Sequence, residues 1–393
     1  IVLAGPPVGE RPDPTLSACV PPGTVVTYGF GGALRPALHA LRTRRAAAKP
    51  SSGPKKPPKP PGWRPSWWPE DATFLTPFDR YLADVPAGLR AARALVRRYR
   101  PDAIHVSADP WSPLIAADRL ARETGLPLIV DFRDPWSQHA AKMALRPAPA
   151  RAALRAFERR LFHVASKVVL NTEAARDAYV DAYAGDLPAD HFTAIRNAFD
   201  EGLFRPGEAH LPDAFTVAYF GRFRRFVEPD ALLRGFRAFV DGRGLGPADA
   251  RLRFIGGLDP EHLARVAALA LDPFVDVVPP VPFRDSLPVL RSAHVLSMVI
   301  QPDSHLQIPG KLYDYLCARR PILSVSANPE ADRIVAAAGA GLCARHGDPA
   351  DVAEKLGRLY DGAFEITEAN VEPFSARAQA RAMAAVYDEA LER

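Results

Sequence analysis

The sequence predicts an α/β protein built from two doubly wound, Rossmann-like domains. Three observations predict it. The chain has 393 residues, about twice an ordinary domain. Short β-branched apolar runs alternate with helical patterns, as in βα units that build a parallel sheet. That alternation breaks near residue 200, and a second series of the same kind follows.

In the first series, strands are expected at 1–4, 24–28, 103–106, 127–132, 167–170 and 193–196. Helices are expected at 32–45, 82–100, 113–124 and 148–163, the second stopping before Pro101 because a residue ahead of proline disfavours the helical region. The second series places strands at 215–220, 252–255, 275–278, 295–299, 322–325 and 341–344. Between them, Asn197-Ala198-Phe199-Asp200 and then Pro206, Gly207 and Pro212 break the pattern. The expected domains are therefore 1–200 and 201–373, with a final helix over 374–393 packing back on the first domain. Two such domains facing a central cleft bind ligands in the loops beyond the carboxyl ends of the strands.

With 48% hydrophobic and 24% charged residues, the chain can bury substantial cores. No run approaches the roughly 18 apolar residues of a membrane-spanning helix, and the opening Ile1-Val2-Leu3-Ala4 stops at Gly5-Pro6-Pro7. A cytoplasmic protein is expected. Cys19, Cys317 and Cys343 follow no metal-ligand spacing and read as reduced core thiols.

The formal charge of +5 is local in origin. Arg42, Arg44, Arg45, Lys49, Lys55, Lys56, Lys59 and Arg64 form an acid-free block, and without these cations the chain is acidic. The stretch 45–70 is rich in Pro, Lys, Ser and Gly and is expected to be a mobile loop. With Trp63, Trp67 and Trp68 at its end, 42–68 offers either a peripheral contact with an anionic membrane face or a Pro-rich insertion without a partner. No nucleic-acid module is present, so no nucleic-acid partner is expected.

The most informative segment is Ile308-Pro309-Gly310-Lys311-Leu312-Tyr313-Asp314-Tyr315-Leu316, read as loop and then helix. Pro309 suits the entry to a helix and Gly310 lets a ligand approach the backbone. The helix's first amides and Lys311 attract an anion such as a diphosphate. Asp314, three residues on, shares a face with Lys311 and can accept hydrogen bonds from vicinal ribose hydroxyls. A surface Lys–Asp pair on an amphipathic helix buried through Leu312 and Leu316 fits the same spacing.

This segment resembles the donor-binding segment of glycosyltransferase family 4 and its relatives. Other segments resemble that family in order along the chain. Asp131-Phe132-Arg133-Asp134-Pro135-Trp136 is similar to a signature of a bacterial branch of the superfamily, and Asn197-Ala198-Phe199-Asp200 to its hinge. Tyr219-Phe220-Gly221-Arg222-Phe223-Arg224-Arg225 resembles its Gly-Arg loop, Phe254-Ile255-Gly256-Gly257 the next strand end, and Pro280-Val281-Pro282-Phe283 its base-facing loop. Gly5-Pro6-Pro7-Val8-Gly9 follows the opening strand, either as a loop against the phosphates or as a plain turn.

The resemblance implies the glycosyltransferase-B fold, with an acceptor-side first domain and a second domain that binds a nucleotide-diphosphate sugar. It implies metal-independent transfer with retention, consistent with the lack of any Asp-x-Asp; no cofactor beyond the donor is expected. The donor contacts it suggests are Gly9, Gly221, Arg222, Arg225, Gly256, Val281, Pro309, Gly310, Lys311 and Asp314. Asp314 matches the second acid of the family's Glu-x7-Glu pair, but the first position is Leu306. Arg133, Asp134 and His305 are the candidate catalytic residues, with Asp303 beside His305. The acceptor is a glycan, a lipid-linked molecule or a small molecule. Sugar-nucleotide epimerases and sugar-phosphate synthases of the same architecture, or a non-catalytic carbohydrate-binding relative, are the alternatives.

Overall fold

The computed structural model describes residues 2–4, 20–28, 76–79, 81–204, 207–223, 228–362 and 364–392. Gly9, Arg224, Arg225 and the basic Pro-rich stretch lie outside the described residues, as does the helix expected at 32–45.

The chain divides into two compact units. One holds residues 1–170, 176–193 and 385–393; the other holds 171–175 and 194–384. The first unit contains a parallel pair, β1 (Val2–Ala4) and β2 (Val26–Tyr28), and a four-stranded sheet in the order β3-β4-β5-β6. These four are Ile104–Ala108, Leu128–Phe132, Lys167–Leu170 and Phe192–Ala194. β4 and β5 are buried throughout, as expected of central strands covered on both faces. The helices α1 (Val85–Tyr99), α2 (Pro113–Thr124), α3 (Ala140–Ala144) and α4 (Ala148–Val164) accompany this sheet. Pro113 suits the first turn of α2, and Gly125, at φ 70°, ends it in the left-handed region. Helix α5 (Glu173–Ala182) starts on residues of the second unit and continues into the first.

The second unit is a six-stranded parallel sheet in the order β12-β11-β10-β7-β8-β9. The strands are β7 (Phe215–Phe220), β8 (Ala250–Ile255), β9 (Val275–Val278), β10 (Val295–Ile300), β11 (Ile322–Ser326) and β12 (Gly341–Arg345). Alternation sends successive side chains of β7 to opposite faces. Val217 and Tyr219 enter the core formed with α6 (Asp230–Arg243), α7 (Pro260–Ala268) and α11 (Pro349–Asp361). Ala218 enters the one formed with α8 (Ser286–Arg291), α9 (Lys311–Ala318) and α10 (Pro329–Ala337). A short helix, α12 (Glu368–Val371), and the long final helix α13 (Ala376–Leu391) follow.

The strand order locates the site. From β7 the chain steps outward to β8 and β9, then returns to the other side of β7 with β10. The crossovers on either side of β7 thus run in opposite directions, which opens a crevice between the carboxyl ends of β7 and β10.

Candidate functional site

Three segments meet at that switch point. Gly221, just past β7, holds φ 97° and donates its N–H to Ile255 O at 2.8 Å. Gly256, just past β8, holds φ 116°, a region that disfavours any side chain. A Cβ on Gly256 would lie 2.8 Å from the carbonyl carbon of Gly221 and 3.0 Å from the Arg222 nitrogen, so two strand-end loops pass each other where only glycine fits. From the far side of β7, Lys311 at the start of α9 places its Nζ 3.7 Å above the centroid of the Tyr219 ring. The same Nζ is 3.8 Å from the position a Gly221 Cβ would take.

Lys311 and Asp314 make no ion pair with each other or with any other described residue. Both are half-buried. Burial pushes the Lys311 ammonium down to about 7, with Asp314 pulling weakly the other way. Burial likewise pushes the Asp314 carboxyl up to about 6, against Lys311. A cation and an anion are thus kept poorly solvated and unpaired side by side, as ligand-binding groups often are. The surface-pair reading of this spacing does not describe the geometry.

Tyr315 explains how α9 is held there. Its fully buried hydroxyl donates to Ser297 O of β10 at 3.0 Å and accepts the Phe220 N–H of β7 at 2.9 Å. The helix is thereby pinned across the two strands that define the crevice. Leu312 and Leu316 anchor the same helix in the core. Gly310 is its N-cap, and among the described residues no atom beyond its chain neighbours and the helix's own backbone lies within 4 Å of where a Cβ would stand. The Pro309 and Gly310 carbonyls accept from Leu312 and Tyr313, closing that turn.

The remaining second-unit candidates are placed less directly. Arg222 is exposed, and its guanidinium donates to Asp259 Oδ1 at 2.8 and 3.1 Å. Val281 is half-buried against the core. His305 is exposed, and Asp303 accepts the Ser304 hydroxyl at 3.5 Å. Leu306 is buried, so the position of the first family acid is apolar.

Arg133 and Asp134 belong to the first unit. Both Nε and Nη2 of Arg133 donate to Asp131 Oδ1, at 2.8 and 2.6 Å, while Asp131 Oδ2 lies 3.7 Å from His105 Nε2. The other nitrogen of His105 is 2.9 Å from the Tyr387 hydroxyl of α13. Asp134 sits 3.7 Å from Lys142 Nζ. Within this loop Arg133 thus serves to close the turn after β4.

One signal in this unit went unread. Asp-Pro-Trp-Ser occurs twice, at 109–112 and at 134–137, after the neighbouring strands β3 and β4. The two tryptophans, Trp111 and Trp136, stack with centroids 4.7 Å apart and planes 3° apart. Asp79 fixes the first copy by accepting from the Trp111 and Ser112 amides and the Ser112 hydroxyl. Glu158, fully buried, fixes the second through Ser137 N–H and Oγ together with Tyr179 and Tyr183. Burial pushes the Glu158 carboxyl up to about 7 against these four donors.

A doubly wound unit with glycine-lined loops and a half-buried lysine at its switch point belongs to the class of open α/β proteins that bind ligands beyond the carboxyl ends of their strands. Comparison with known proteins narrows it. Residues 23–198 match the glycosyl transferase 4-like domain and residues 214–362 match the glycosyl transferases group 1 domain. The chain belongs to the glycosyltransferase 4-like family, of glycosyltransferase-B fold. It is 24% identical over 283 residues to a D-inositol 3-phosphate glycosyltransferase of Corynebacterium kroppenstedtii, covering 63% of this chain and 58% of that relative's length. Among solved structures it resembles a sucrose-phosphate synthase from Thermosynechococcus elongatus, with TM-score 0.59, 17% identity, and 79% of each chain covered. It also resembles Anabaena HepE in complex with UDP, with TM-score 0.58, 14% identity, and 77% of this chain and 82% of that one covered.

Proposed function

We propose that this chain transfers a sugar from a nucleoside-diphosphate donor to an acceptor hydroxyl, with retention at the anomeric carbon. The observation that carries the reading is the convergence of Gly221, Gly256 and the Lys311 ammonium, which has no carboxylate partner among the described residues, at the switch point. As the glycosidic bond breaks, negative charge gathers on the leaving diphosphate. The positive end of the α9 dipole and Lys311 stabilise that charge most where solvent is excluded. Arg222 joins them by turning from its exposed pair with Asp259, and Arg225, three positions on in the sequence, is a further candidate for the diphosphate. Asp314 accepts the ribose hydroxyls, and the backbone around Val281 faces the base. Arg133, Asp134 and His305 orient the transferred sugar or the acceptor, which is a glycan, a lipid-linked molecule or a small molecule. No further cofactor is invoked.

A thermal-shift panel of UDP, GDP, ADP, CMP and dTDP sugars tests this, with UDP first because HepE was solved with it. One donor class should stabilise the protein, and Lys311→Ala and Asp314→Ala should each weaken it by about 10- to 100-fold, the worth of one charged contact. If the chain binds none of the panel, or if neither substitution changes binding or transfer, the assignment fails. The anomeric configuration of the product, read by NMR, decides retention.

A further inference from the structure

The segment 304–307 runs between β10 and α9 and includes Leu306, eight residues before Asp314. Side chains remote in sequence approach all four of its carbonyls. Nδ2 of Asn328 lies 3.0 Å from Ser304 O, 3.0 Å from Gln307 O and 3.4 Å from His305 O. The Thr172 hydroxyl donates to Leu306 O at 2.9 Å. Asn328 is itself immobilised. Its Oδ1 accepts the Glu330 and Ala331 amides at 3.0 and 3.1 Å, capping α10, and its own N–H donates to Ser326 Oγ at 2.8 Å. The residue is 1% exposed, and none of these hydrogen bonds involves Gly221, Gly256, Lys311 or Asp314.

We propose that Asn328 is a positioning residue for sugar transfer: its carboxamide, with Thr172 as a second tie, fixes the backbone of 304–307 in the one conformation that presents the sugar. The assignment rests on the sugar-transfer reading above. Without an acid at Leu306, the sugar is located by this backbone and its neighbours, so the rigidity of the segment replaces the grip of a carboxylate. A displacement of about 1 Å in such a segment is enough to slow transfer by roughly 100-fold.

Asn328→Asp isolates the role. The carboxylate still caps α10, since Asp is as good an N-cap as Asn, but it has no hydrogen to give the three carbonyls. Hydrogen exchange at 303–308 should accelerate at least tenfold while α10 stays protected. Affinity for the nucleoside diphosphate selected by the panel should stay within about twofold, while kcat falls by about 10- to 100-fold at a nearly constant donor KM. Thr172→Val should show the same pattern more weakly, and Thr172→Ser, which keeps the hydroxyl, should restore it. Unchanged exchange at 303–308, unchanged kcat, or a loss of diphosphate affinity parallel to kcat would each overturn the assignment. A wild-type chain that transfers no sugar from any donor overturns the sugar-transfer reading and this role with it, whereas unaltered exchange in Asn328→Asp overturns this role alone.

Discussion

Lys311 begins as a weakened cation, and the consequence is a pH dependence of known sign. A bound diphosphate favours the charged ammonium, so binding above pH 7 takes up a proton. Affinity for a nucleotide sugar should fall as pH rises through about 7, by up to tenfold per unit. Asp314 acts from the other side. Ribose hydroxyls need its carboxylate, so affinity should also fall as pH drops through about 6. Calorimetry with a sugar nucleotide, whose diphosphate has no titrating terminal oxygen, should show a maximum between pH 6 and 7 that Lys311→Met flattens on the alkaline side. Glu158 makes a separate case. Its folded carboxyl titrates at about 7 and its unfolded one at 4.5, so the native state holds the extra proton between them. Stability from this group is present below 4.5 and is lost as pH rises towards 7. Glu158→Gln should remove that slope, seen as melting temperatures that diverge from wild type as pH increases from 4.5 to 7.

At the scale of elements, two glycines make opposite predictions. Gly235 in α6 lets α11 approach, because a Cβ there would lie 2.4 Å from Val352 Cγ1 and 2.9 Å from the Pro349 carbonyl oxygen. Gly235→Ala should cost about 1–3 kcal/mol of stability by denaturant titration and leave nucleotide affinity intact. Gly256→Ala should instead distort the Gly221 backbone and cost affinity, read by calorimetry, beyond what its loss of stability explains. The elements themselves were largely legible. β5, β7, β9 and α2 begin and end where their β-branched runs, Pro113 and Gly125 say they should. The expected helix at 82–100 begins instead as a 3-10 turn, Leu82–Asp84, with the α-helix starting one residue before Pro86. The strand expected at 193–196 ends at Ala194, because the Arg196 and Asn197 amides go to the side chains of Gln379 and Asn171 rather than to a neighbouring strand. Lys311 and Asp314 were singled out by the helix start together with the resemblance, since the spacing by itself fitted a surface pair equally well. Asn328, Thr172 and Tyr315 were not, since each acts through partners far away in the chain, and Thr172 meets Leu306 across 134 positions.

For the whole molecule, division into two units makes stability separable. Helix α13 contributes residues up to 384 to the second unit and the rest to the first, where Tyr387 meets His105 and Glu389 pairs with the buried Lys167 ammonium at 2.6 Å. Removing 385–393 leaves Lys167 with the Asp190 carbonyl alone, and a buried cation deprived of its carboxylate is costly, though the exposure of Glu389 limits the loss to about 1–2 kcal/mol. The proposed nucleotide site lies in the other unit. At 100 times its Kd, a ligand that binds only the folded site adds about 2.7 kcal/mol there. Differential scanning calorimetry of the full and truncated chains, each with and without nucleotide, should therefore give two independent shifts: truncation lowers the melting of the first unit, and nucleotide raises that of the second. If truncation also abolished the nucleotide shift, the anion site at β7 and β10 would depend on residues outside the unit that contains it.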